Sequence, residues 1–158
     1  MQSLVAIAFC LFAFAARAES INFMYGSFKY IQRTSVSHDG ESMYSLWNID
    51  VIPEFGLVQF KDNVSGKELK QIYFTPMISY QMGKFTIDGG IGISLLNGQH
   101  LGEKNISTNF QFTDHIGIGY TFYKKYKIGY RITHVSNADI KRPNPGIDSQ
   151  QVYFSLFY

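Results

Sequence analysis

The chain has 158 residues, with 14 basic against 12 acidic side chains and a formal net charge of +2 at pH 7. That near balance argues against electrostatic capture of nucleic acid. A single cysteine, Cys10, excludes a disulfide scaffold, while 14 Phe, 11 Tyr and 14 Gly are a heavy load for one domain and suit barrel strands with aromatic girdles.

The chain opens on a nearly unbroken apolar run from Leu4 to Ala16, followed by Ala16-Arg17-Ala18 before Glu19, which has the small-x-small form of a signal-peptidase site. Residues 1–18 are therefore expected to be a removed signal peptide, and 19–158 a single exported domain. Removal takes Cys10 and Arg17 with it, which leaves a net charge of +1 and no thiol nucleophile. Neither this run nor any later one reaches the roughly 20 apolar residues that a membrane-spanning helix needs.

Beyond Glu19 the pattern alternates with period two, and no stretch carries an apolar period of 3.6. Eight strand-like segments are expected, at about 20–31, 43–52, 55–61, 69–81, 84–96, 108–123, 126–138 and 149–158. Long polar connections at 32–42, 62–68, 97–107 and 139–148 alternate with tight turns at Pro53-Glu54, Met82-Gly83-Lys84 and Lys124-Lys125. Such alternation predicts an all-β fold, an eight-stranded antiparallel up-and-down transmembrane β-barrel with its long loops outside the cell. Pro76 removes a ladder donor within the fourth segment.

Parity assigns the faces. In the sixth segment Phe110, Phe112, Ile116, Ile118, Tyr120 and Phe122 oppose Asn109, Gln111, Thr113, Gly117, Gly119 and Thr121, a greasy face toward lipid and a small polar face toward the lumen. A soluble lipocalin-like barrel would reverse that preference. Asp114 falls on the greasy parity, where a charge is costly. The last segment places Val152, Phe154, Leu156 and Tyr158 on one face and so ends the chain on an aromatic, a common ending of outer-membrane barrels.

The seventh segment carries the chemistry. Ile128, Tyr130, Ile132, His134 and Ser136 share the outward parity, opposite Lys127, Gly129, Arg131 and Thr133. His134 and Ser136 stand about 6.6 Å apart along the strand. Carrying the outward parity of the last strand back through Gln150 reaches Asp148 at the same rim. A base, a nucleophile and an acid thus converge on the lipid-facing wall: His134 removes the Ser136 proton, Ser136 attacks an ester carbonyl, and Asp148 orients the imidazole. An isolated His-x-Ser at a barrel rim is more often a polar interfacial pair; the acid on the next strand and the Pro-Asn-Pro-Gly loop weigh against that reading.

The segment His134-x-Ser136-Asn137-Ala138, with Arg142-Pro143-Asn144-Pro145-Gly146-x-Asp148 after it, resembles the signature of the PagL lipid A deacylase family. Phe110-Gln111-Phe112-Thr113-Asp114-His115-Ile116-Gly117 is similar to the penultimate hairpin of that family. The resemblance covers about 108–158 closely and the rest in barrel plan only. It implies an outer-membrane serine esterase that hydrolyses the 3-O-linked 3-hydroxyacyl chain of lipid A in lipopolysaccharide, needs no metal or cofactor, acts among outer-membrane lipids and forms homodimers. By the same resemblance Ser136 is the nucleophile, His134 the base, Asn137 an activity-critical asparagine, and Asn144 a contributor to an oxyanion hole. Two positions depart from the pattern: Asp148 stands where the best-known members have glutamate, and Asp139 where glycine is frequent.

Lys141 and Arg142 lie beside this segment and are candidate contacts to lipid A phosphates, with solvated loop charge as the plainer reading. His38, His100 and His115 show no metal-ligand spacing. Asp50, Asp88 and Arg131 share the inward parity, which predicts a lumen salt-bridge network. Two other functions stay open to these residues: a non-catalytic structural or adhesive barrel, and a phospholipase using the same hydrolytic chemistry.

Overall fold

The computed structural model describes residues 18–158; the apolar leader, Cys10 and most of the expected cleavage site lie outside the described residues. Eight long strands form the wall: β1 Ala18–Phe28, β2 Ile31–Gly40, β3 Ile49–Asp62, β4 Glu68–Met82, β5 Phe85–Leu96, β6 Phe110–Phe122, β7 Tyr126–Ser136 and β8 Ile147–Phe157. Each pairs antiparallel with the next, and β8 returns to β1, so the sheet closes with no free long edge. The expected transmembrane barrel is the observed fold.

Two strands sit elsewhere than the hydrophobic pattern implies. Residues 32–42 read as a polar loop, yet Gln32 through Gly40 belong to β2, whose lumen face carries Arg33, Ser35 and Ser37. A strand that turns polar groups into a polar lumen shows little apolar alternation. Pro53-Glu54, read as a tight turn, lies inside β3, where Pro53 stands in register with Pro76 of β4. Both prolines lack an N–H, so the ladder forgoes its two donors at one shared step of the register rather than at two separate ones. The turn falls instead at Trp47-Asn48, between the short strand Tyr44–Leu46 and the start of β3.

The outer end of the barrel therefore carries the connections 29–30, 63–67, 97–109 and 137–146, and the opposite end those at 41–48, 83–84 and 123–125. Outward positions of β6, β7 and β8 are apolar and exposed, among them Ile116, Ile118, Ile128, Ile132, Val152 and Phe154. That wall is what lipid covers.

The lumen is packed rather than open. Arg131 Nη1 donates to both Glu54 carboxylate oxygens, at 2.7 and 2.9 Å, and the Tyr73 hydroxyl donates to the same carboxylate. Lys127 lies 3.7 Å from Asp88, which also accepts from Tyr153. The network anticipated around Asp50, Asp88 and Arg131 thus has other members: Asp50 bonds Ser45 in the hairpin at the far end, and Glu54 is the partner of Arg131. His115 points inward and meets Thr133 at 3.0 Å. Toward the outer rim the polar lumen gives way to an apolar cap of Phe60, Leu69, Leu96, Val135 and Ile147, into which Leu101 and Ile106 of the 97–109 connection insert. Those two side chains anchor that connection on the barrel mouth.

Candidate active site

β7 carries His134 and Ser136 outward while Thr133 and Val135 point in and are buried. The pairing of β7 with β8 sets His134 directly opposite Asp148. From there His134 Nδ1 and Asp148 Oδ1 close to 2.7 Å, within the range of a charge-assisted hydrogen bond. Both side chains are a little under half exposed, at 44% and 47%. Asp148 is a strand residue brought within reach by register; the one-methylene deficit relative to glutamate needs no adjustment of the loop. With Nδ1 engaged, Nε2 is the imidazole nitrogen left to accept a proton.

Ser136 lies on the same face in register with Phe112 of β6. Its hydroxyl makes no hydrogen bond to His134 among the described residues, so imidazole and carboxylate are paired while the serine stands two residues along the same wall.

The 137–146 connection is tied down from within. Asn137 is fully buried; its side-chain amide donates to the carbonyls of Ile106 at 3.2 Å and Lys141 at 2.8 Å, and its backbone N–H donates to Asn144 Oδ1 at 3.2 Å. Ala138 and Asp139 both take left-handed backbone, with φ of 52° and 60°. The position where the family pattern favours glycine does require positive φ, and aspartate is among the residues that tolerate it best. Asp139 then accepts from Asn144 Nδ2 and Arg142 Nη2, each at 3.3 Å. Arg142 is consequently spent on Asp139 at the exposed outside of the loop, and Lys141 is exposed there too.

Three residues without a role in the sequence reading join the site. Gly146, at φ 61°, backs so closely onto the imidazole that a Cβ there would lie 2.7 Å from His134 Cε1. A glycine after Pro145 was legible as a turn, but its contact with His134 was not. Lys104 reaches across from the neighbouring connection and donates to the Gly146 carbonyl at 2.7 Å; no spacing singles it out. Asp114 stands in register with His134 on the side away from Asp148, which accounts for its place on the greasy parity: it belongs to the rim of the site.

The chain matches the family model described as lipid A 3-O-deacylase (PagL) over residues 24–157. It belongs to that family. It is 31% identical over 144 residues to the lipid A deacylase PagL of Bordetella bronchiseptica, covering 85% of this chain and 81% of that protein. To the lipid A deacylase PagL of Pseudomonas aeruginosa it is 36% identical over 101 residues, 61% of this chain and 55% of the relative. Among solved structures, the crystal structure of the outer membrane enzyme PagL superposes with a TM-score of 0.74 at 22% identity, over 88% of this chain and 99% of the other. The Yersinia pestis outer membrane protein Ail shares the fold more loosely, with a TM-score of 0.58 at 11% identity over 90% and 99% of the two chains. The likeness in fold thus extends through the amino-terminal half, where motif resemblance was weakest.

Proposed function

We propose that the protein is a serine esterase of the outer membrane that removes the 3-O-linked hydroxyacyl chain of lipid A, with Ser136, His134 and Asp148 as its triad. The observation that carries this reading is the 2.7 Å His134–Asp148 pair on the lipid-facing wall, with Ser136 on the same face of the same strand. Membership of a lipid A 3-O-deacylase family supplies the substrate class. An outward site at the outer rim meets acyl chains and sugar headgroups of the outer leaflet, and a lumen solute has no route to it.

The chemistry follows from the residue types. His134 Nε2 takes the Ser136 proton as Oγ bonds to the ester carbonyl carbon, whose π electrons move onto oxygen. The tetrahedral intermediate collapses by breaking the bond to the sugar oxygen, which leaves as an alcohol with the proton returned from His134. Water, deprotonated by the same imidazole, then attacks the acyl-enzyme, and Ser136 departs as the hydroxy acid is released. Asp148 holds the ring in the tautomer this needs. Asn144, whose side-chain amide gives one N–H to Asp139 and retains a second, is the donor we assign to the oxyanion, and Asn137 fixes that loop beside Ser136. Residues 1–18 act as the cleaved export signal. Lys141 and Arg142 serve at most as solvent-side contacts to phosphate.

Mass spectrometry of lipid A from cells expressing the protein tests the reading. Loss of one hydroxyacyl chain with the native sequence and not with Ser136→Ala is expected. Intact lipid A in both strains, with the barrel correctly inserted, refutes it; phospholipid cleavage without lipid A cleavage moves the activity to a phospholipase.

A further inference from the structure

We infer that Lys104 is a positioning residue of this site, which anchors the Gly146 carbonyl behind the imidazole and sets a fixed positive charge beside Asp148. The inference rests on the triad reading above and deepens it.

One short stretch of the 97–109 connection grips the 137–146 connection at three points. Lys104 Nζ donates to Gly146 O at 2.7 Å, the Ile106 carbonyl accepts from Asn137 at 3.2 Å, and Ser107 Oγ donates to the Pro143 carbonyl at 2.7 Å. The stretch is itself held in place: Ile106 is fully buried in the apolar cap, and Ser107 is kept at a φ of 62° with its N–H on Asn105 Oδ1 at 2.9 Å. Left-handed backbone at a non-glycine residue is strained and persists where the surroundings over-determine it. Of the three contacts, the one made by Lys104 ends on the residue that touches His134.

A neutral donor would satisfy the Gly146 carbonyl as well, so the ammonium requires its own reason. Burial pulls the Lys104 ammonium below the usual lysine range; the Asp148 carboxylate opposes that fall and Lys29 of the β1–β2 turn adds to it. The ammonium thus lies within electrostatic reach of Asp148. The charged groups around the imidazole explain its use. Asp148 of β8 and Asp114 of β6 flank His134 in register, so the ring lies between two carboxylate-bearing positions, and a base must meet the serine unprotonated. Lys104 is the cation that the fold bonds to the backbone behind that ring.

The test compares Lys104→Met, Lys104→Gln and Lys104→Arg with the native protein and with Ser136→Ala. Each is purified as a heat-modifiable barrel in detergent micelles and assayed for hydroxy-acid release from lipid A across pH. Lys104→Met is expected to lose roughly tenfold at the plateau and to shift the acid limb of the profile upward by roughly half a pH unit. Lys104→Gln, which keeps a donor without the charge, is expected to regain the plateau and retain the shift; Lys104→Arg restores both. A merely structural lysine would lower the plateau without moving the limb. An acid limb in Lys104→Met that superimposes on the native one overturns the inference, whichever residue proves to be the nucleophile. Activity in Ser136→Ala instead sinks the triad and leaves the Lys104 comparison readable on its own.

Discussion

Gly146→Ala probes the support behind the imidazole. A Cβ at this position would approach His134 Cε1 to 2.7 Å, whereas ordinary contact begins at 3.4 Å. The ring must therefore retreat by about 0.7 Å, because the backbone of Val135 hems in the same Cβ at 3.4 Å and leaves the alanine little room to give way. Retreat along that line strains the 2.7 Å bond to Asp148. The φ of 61° adds about 1 kcal/mol of backbone strain for a residue with a Cβ. Since a displacement near 1 Å costs about 100-fold in rate, turnover is expected to fall by roughly 10- to 100-fold while the barrel stays folded. Gly83→Ala is the matched control: its φ is 62°, nothing lies within 4 Å of its Cβ, and its turn is at the opposite end of the barrel. It should carry the strain and keep full activity. Hydroxy-acid release by mass spectrometry, beside heat-modifiable migration on gels, measures both. Native turnover in Gly146→Ala with an intact barrel would show that the imidazole is not held from behind.

Asp148→Asn removes the charge that pairs with His134 and should lower turnover by roughly 10³- to 10⁴-fold without changing gel migration; full activity would remove Asp148 from the triad. Asp148→Glu should keep turnover within about tenfold, because a pair this exposed has room to accommodate a methylene; a folded but inactive variant would mean that the register suits only the shorter side chain. Arg131→Met strands the buried Glu54 carboxylate and should destabilise the barrel by about 3–5 kcal/mol, read as a lower urea midpoint in micelles. Replacing Glu54 by Leu in the same molecule should recover most of that loss, and an unshifted midpoint in the single variant would mean the lumen pair does not hold the wall.

The alternation of β6, β7 and β8 was legible because those strands face lipid on one side, and parity alone then carried His134, Ser136 and Asp148 to a common face. β2 was illegible for the converse reason. Arg33, Ser35 and Ser37 find partners in the lumen rather than in water, for instance Arg33 Nη1 with Gln151 at 2.9 Å, and only the closed barrel makes that possible. Glu54 was lost with it, since Pro53 reads as a turn until Pro76 is seen opposite. At the site, the strand residues were recoverable from spacing, whereas Lys104 and Gly146 meet across 42 positions of sequence and left no periodic trace.

Strand β7 explains why this wall admits so little freedom. Arg131 points in and His134 points out three residues later, so one register serves two demands at once. Slipping the strand by a single residue would expose the Arg131 guanidinium to lipid and turn His134 into the lumen, away from Asp148. The ion pair with Glu54 penalises that slip from the inside, where an unpaired buried charge costs several kcal/mol; the outer His134–Asp148 contact is too exposed to do so by itself. The lumen network therefore holds the His134–Asp148 geometry indirectly, by fixing which residues of β7 face the membrane. The loops contribute what register cannot set: the backing of the ring by Gly146, and the charge brought to it by Lys104.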